Sequence, residues 1–142
     1  MSSGTSDGRP SLGDIICHCK GAIRSAEAWK VGRYTWQWLG WCFGRGVTLS
    51  DWDYFVENKG RFLVFETKAL DAPVSQGQML ALQRLAKLPE FTVVVLWGEK
   101  DCPQFMQIVG QPRQRCSRDD VEKVARDWWH GVERLPPAQP RG

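Results

Sequence analysis

Apolar positions along the middle of the chain follow two different periods. From Asp53 to Glu57 and from Arg61 to Lys68, aromatic and β-branched residues form two short runs. Asn58-Lys59-Gly60 separates them, which is the signature of a β-hairpin. Asp71-Ala72-Pro73 then breaks the chain. Met79, Leu82, Leu85 and Ala86 recur at helical spacing, predicting an amphipathic helix from Gln76 to Leu88 that Pro89 stops. Ser75 is its expected N-cap, with Gln78 three residues on completing a capping box. Phe91 to Trp97 is a continuous apolar run, as expected of a strand buried on both faces. Phe105 to Val109 reads as an edge strand. Ser117 should cap a last helix running to about Trp129, with Asp119 and Asp120 in the first turn where the helix dipole favours acids.

The front of the chain is less regular. Gly21 to Lys30 reads as a short helix, Tyr34 to Phe43 as a strand interrupted by Gly40, and Gly44-Arg45-Gly46 as a loop. Residues 1–12 and 135–142, rich in Ser, Gly and Pro, are expected to be disordered ends flanking a single domain over residues 13–134. A hairpin followed by a helical crossover to another strand implies an α/β fold, a mixed β-sheet core with helices packed against it.

Composition narrows the picture only a little. Nineteen Lys and Arg against sixteen Asp and Glu give a net charge of +3, which permits contact with a polyanion without demanding it. No apolar run is long enough to span a bilayer, and no basic-then-apolar start resembles a signal peptide, so no membrane partner is expected. The five cysteines are an odd, irregularly spaced set, which points to a reduced, cytoplasmic protein. Cys17-His18-Cys19 invites a zinc reading, but the second ligand pair of a structural zinc site is missing. A nucleophilic cysteine beside His18 or His130 has nothing in the sequence to position it.

The segment Asp51-Trp-Asp-Tyr-Phe-Val-Glu-Asn-Lys-Gly-Arg-Phe-Leu-Val-Phe-Glu66-Thr67-Lys68 carries the chemistry. Alternate residues of a strand share a face, so Phe62, Val64, Glu66 and Lys68 point one way. If Lys59-Gly60 is a two-residue loop, Asn58 pairs with Arg61, Asp53 stands opposite Glu66, and Asp51 opposite Lys68. Directly opposed side chains lie roughly 5 Å apart at Cβ, where two carboxylates repel unless a cation separates them. Mg²⁺ or Mn²⁺ suits such oxygen ligands, and Lys68 would place positive charge beside a bound phosphate. A solvated Glu-x-Lys face is the bland alternative. Against it, Glu66 follows the apolar run Phe62–Phe65, and a charge at the end of a buried strand is costly without a purpose.

This order of Asp-x-Asp, tight turn, apolar strand, Glu-x-Lys and a helix opening near a glutamine resembles the PD-(D/E)XK nuclease superfamily. Restriction endonucleases, Holliday-junction resolvases and VRR-type nucleases belong to that group. The resemblance covers Ser50 to Trp97, about a third of the chain. It implies a restriction-endonuclease-like fold and a Mg²⁺- or Mn²⁺-dependent endonuclease acting on DNA. Asp53, or Asp51 in its place, and Glu66 would be metal ligands, with the backbone carbonyl of Thr67 as a third. Lys68 would be the catalytic lysine, and Gln78 would help place water or phosphate. Glu27 is the candidate for a further acid from the first helix. The proline that names the motif is absent, Ser50 preceding Asp51, which leaves the choice between the two aspartates open, with Asp53 favoured.

Arg45, Lys59, Arg61, Arg113, Arg115 and Arg118 are candidates for a phosphate-binding surface. So compact a chain carries no evident target-recognition domain, which implies recognition of DNA structure or ends, a homodimer, or a partner protein. A phage or mobile-element setting would suit the resemblance. The rival expectation is a catalytically inactive nucleic-acid-binding or protein-interaction module that keeps the nuclease fold.

Overall fold

The computed structural model describes residues 39, 42, 43 and 52–142. The strands and helices whose bounds fall among the described residues lie in the compact unit Ser50–Gly142. They are β1 (Tyr54–Asn58), β2 (Arg61–Lys68), α1 (Gln76–Ala86), β3 (Phe91–Glu99), β4 (Cys102–Ile108), β5 (Gln114–Arg115) and α2 (Arg118–Glu133). The expected helix over Gly21–Lys30 and the loop at Gly44–Gly46 lie outside the described residues, as do Cys17, His18, Cys19, Glu27, Arg45 and Asp51. Of the strand expected over Tyr34–Phe43, only Leu39, Cys42 and Phe43 are described. There Leu39 is helical, and its carbonyl accepts a bond from the Cys42 amide at 3.0 Å, a helical-turn contact and not strand pairing.

The hairpin forms in the two-residue register. Asn58 pairs with Arg61 and Tyr54 with Phe65 across antiparallel strands. Both loop residues have positive φ, 51° at Lys59 and 78° at Gly60, the combination that matches the right-handed twist of the flanking strands. The Glu57 carboxylate accepts from the Gly60 amide at 2.6 Å and closes the turn. The chain then crosses over through α1, so that β3 lies parallel to β2, with Glu66 beside Val95 and Lys68 beside Trp97. A second tight turn, with Asp101 at φ 55°, returns β4 antiparallel to β3. The result is a five-stranded mixed sheet in the order β1-β2-β3-β4-β5. β4 was expected to be an edge strand, but the short β5 pairs outside it through Phe105–Arg115 and Met106–Gln114. Two paired residues are too short a run to show a period of their own.

Strand alternation divides the core into two layers. Val64, Val93, Val95 and Trp97 face α1 and bury Leu82, with Leu85 and Ala86 packed around them. Leu63, Val94 and Met106 face the other way, against Val121, Val124, Ala125 and Trp128 of α2. β3 contributes to both layers, as its unbroken apolar run predicts. The helix boundaries shift slightly from expectation: α1 ends two residues early, at Ala86, and α2 runs on to Glu133. No helix among the described residues is long and apolar enough to cross a membrane.

Beyond α2, the segment expected as a tail makes specific contacts with the hairpin end of the sheet. The Ala138 amide donates to Lys59 O at 2.8 Å, and Arg61 Nη1 donates to Pro136 O at 2.8 Å. Arg141 makes a two-nitrogen contact with the Glu90 carboxylate.

Two outcomes test this account. Gly60→Ala should lower stability by about 1 kcal/mol or more, read by urea denaturation, because alanine disfavours positive φ. A Cβ there would also stand 3.1 Å from Ala138 Cβ. The second concerns the α2 cap, where Ser117 N and Oγ both donate to Asp120 Oδ2. These bonds, the backbone one foremost, hold the Asp120 carboxyl below the usual aspartate range. A depressed acid stabilises the fold above its unfolded pKa, and that contribution is lost as pH falls through the folded value. Stability should therefore fall below about pH 4, and Asp120→Asn, which removes the titrating group, should flatten that acid limb.

Candidate metal and phosphate site

Glu66 occupies the carboxyl end of β2 on the face that α1 covers. It is only 5% exposed and is the one buried charged residue among those described. Isolating a carboxylate in this way costs several kcal/mol unless hydrogen bonds and a counter-charge replace its water. Both are present. Gln78 Nε2 donates to Glu66 Oε1 at 2.6 Å, and Lys68 Nζ stands 3.0 Å from the same oxygen.

Gln78 reaches Glu66 because of how α1 begins. Ser75 Oγ accepts from the Gln78 amide at 3.2 Å, as an N-cap should. The reciprocal half of the expected capping box is not made, since the Gln78 side chain turns to Glu66. The loop that delivers α1 is itself anchored: Trp97 Nε1 donates to Ala72 O at 3.1 Å. One buried indole from β3 thus ties the crossover to the strand beside Lys68.

Asp53 lies just before β1. Continuing the observed register one step beyond Tyr54–Phe65 places it opposite Glu66. Its Oδ2 accepts from the Thr67 amide at 2.7 Å and from Thr67 Oγ1 at 2.6 Å. Each carboxylate is thus held through one oxygen, leaving Asp53 Oδ1 and Glu66 Oε2 without a bond among the described residues. No buried side-chain polar atom among these residues lacks a partner, so the unbonded Glu66 Oε2 reaches the accessible surface. No group of three or more His, Cys, Asp or Glu poised to hold a metal occurs among the described residues. Any cation here would rely on two carboxylates, a backbone carbonyl and water.

The structure therefore brings together Asp53, Glu66, Thr67, Lys68 and Gln78. It disperses the candidate basic residues. Lys59 and Arg61 sit at the opposite end of β2, about 23 Å from Lys68 by strand rise. There Lys59 Nζ donates to Glu133 O at 2.8 Å and Leu135 O at 3.3 Å, while Arg61 bonds Pro136 O. Arg118 pairs with Glu122 on α2 at 3.6 Å. Arg113 and Arg115 stay on the site's face. The Arg113 guanidinium lies 4.2 Å from the Trp97 ring centroid and 4.3 Å from that of Phe105. Sequence reasoning gave Trp97 only a packing role. Its place beside Lys68 and under Arg113 depends on the β2–β3 register, which no local pattern encodes.

If Gln78 fixes the buried carboxylate, Gln78→Ala should cost about 1.5–3 kcal/mol in chemical denaturation, the range for a bond to a charged group. Gln83→Ala, on an exposed position of the same helix, should stay within about 0.5 kcal/mol of the parent. No family model, curated protein or solved structure matches this chain.

Proposed function

We propose that this chain is a metal-dependent nuclease that hydrolyses phosphodiester bonds in DNA, built on a restriction-endonuclease-like sheet. The observation that carries the reading is a buried glutamate joined to Lys68 and Gln78 at the carboxyl end of a parallel strand pair. Ligands in open α/β sheets bind at such strand ends. The order hairpin, crossover helix, parallel strand is the one the resemblance implies.

The donor set fits Mg²⁺ or Mn²⁺. Both take hard oxygen ligands and are commonly held by one or two carboxylates with water completing the shell. Asp53 and Glu66, each with one oxygen uncommitted, would hold the ion together with the Thr67 carbonyl. When bound, the cation offsets negative charge on the phosphoryl group.

The chain's own residues supply the rest. The Lys68 ammonium has three donors. One meets Glu66, and the others are available to a phosphate oxygen and to the attacking water. Water adds to phosphorus in line with the departing ester oxygen and gives up one proton to solvent, the P–O bond breaks, and the leaving oxygen takes a proton from solvent in return. Glu66 fixes Lys68 for this step, and Gln78 fixes Glu66. Asp53, bonded to Thr67, ties the start of β1 to the end of β2. Those bonds to Thr67 also favour the second reading, a binding module in which Asp53 serves only to close the sheet.

Incubating purified protein with supercoiled, single-stranded and branched DNA, in Mg²⁺, Mn²⁺ or EDTA, tests the proposal. Metal-dependent cutting should be lost in Glu66→Ala and in Lys68→Ala. Mn²⁺ binding, followed by electron paramagnetic resonance, should weaken at least tenfold in Glu66→Ala and Asp53→Ala. A folded parent that cuts nothing and binds no Mn²⁺ would leave the binding-module reading in command.

A further inference from the structure

The β-sheet register places four residues in one row across the face that carries Glu66. Lys68 on β2 stands beside Trp97 on β3, Trp97 beside Phe105 on β4, and Phe105 beside Arg115 on β5. Three strand spacings separate the ends of this row, about 14 Å. Arg113 joins it from the loop before β5, its guanidinium close over both Trp97 and Phe105. The Arg115 guanidinium stands 5.7 Å from the Phe105 ring. Neither arginine has an ion-pair or hydrogen-bond partner among the described residues. Arg118, Arg126 and Arg141, by contrast, are each paired with a carboxylate.

We infer that Arg113 and Arg115 form a phosphate track that carries a nucleic-acid strand from Lys68 across the sheet towards β5. This inference rests on the nuclease reading for its substrate. Stacking on an aromatic face pre-orders a guanidinium while leaving its N–H edge free for phosphate oxygens. Two such groups, with no acid among the described residues to neutralise them, leave positive charge along one line that begins at the candidate catalytic lysine. The row also limits what is read. Trp97 is 4% exposed and lies beneath Arg113, so its face is closed to a base. Contacts along the track therefore go to the backbone, and recognition there is independent of sequence.

Fluorescence anisotropy with single-stranded DNA of two unrelated sequences, in EDTA over a range of salt, tests this without any cutting. Each phosphate contact on a single strand contributes about 0.7 to the slope of log K against log salt. Arg113→Gln/Arg115→Gln should therefore flatten the slope by about 1.4 and weaken binding to both sequences alike. Arg115→Gln alone, which leaves the Arg113 stack intact, should flatten it by about 0.7. Arg126→Gln/Arg134→Gln makes the same charge change on α2 and its C-cap, the helix that packs on the opposite face of the sheet, and should leave the slope near that of the parent. The inference is overturned if the track variants keep the parent's slope, if the α2 pair loses as much, or if the loss is confined to one sequence. Cutting by the parent is scored separately, so a parent that binds along the track but does not cut refutes the nuclease reading alone.

Discussion

The arrangement turns on the Glu66 carboxylate, withdrawn from water at the end of β2 and compensated from two sides. A glutamate so placed would destabilise the sheet unless its neighbours were fixed in turn, and each of them is. Lys68 is held two residues on along the same strand. Gln78 is held by the start of α1, and α1 by a crossover that the buried Trp97 indole anchors at Ala72. Loosening any of these members leaves the charge exposed to the core. The same requirement that stabilises the fold thereby pre-positions the polar groups at the end of the strand.

The second organising element is the hairpin end of the sheet. Basic side chains there are consumed by backbone carbonyls: Lys59 closes the end of α2, and Arg61 holds the proline-containing segment that follows. Positive charge that is broadly spread in the sequence becomes divided by the fold. One group serves as mortar between α2 and the turn, and another, Arg113 and Arg115, has no acidic partner among the described residues. Net charge alone is silent on that division.

Several features were legible because their signals are local. Asn58-Lys59-Gly60 announces a turn, and once its loop is known to hold two residues the pairing of every residue in the hairpin follows by counting. The apolar run at Phe91–Trp97 announces a strand covered on both sides. Ser75 and Ser117 announce helix starts. Glu66 and Lys68 were legible as a pair because strand alternation places them on one face, whereas Gln78 was pointed to only by the resemblance. What escaped depended on partners distant in sequence. Gln78 satisfied two local rules equally well, and only the buried carboxylate decided which its side chain obeys. The roles of Lys59 and Arg61 depended on where α2 ends, and that of Arg113 on the register of three strands. The two residues of β5 are held by β4 and carry no pattern to recognise.

The path of the last residues has a practical consequence. With Ala138 bonded to the hairpin turn and Arg141 clasped to Glu90, the chain leaves this unit at the end of the sheet remote from Glu66. A fluorophore, affinity handle or immobilising surface joined after Gly142 would emerge there, a full strand length from the buried carboxylate. A tether placed there would leave the contacts of Glu66, Lys68 and Gln78 at the other end of this sheet untouched.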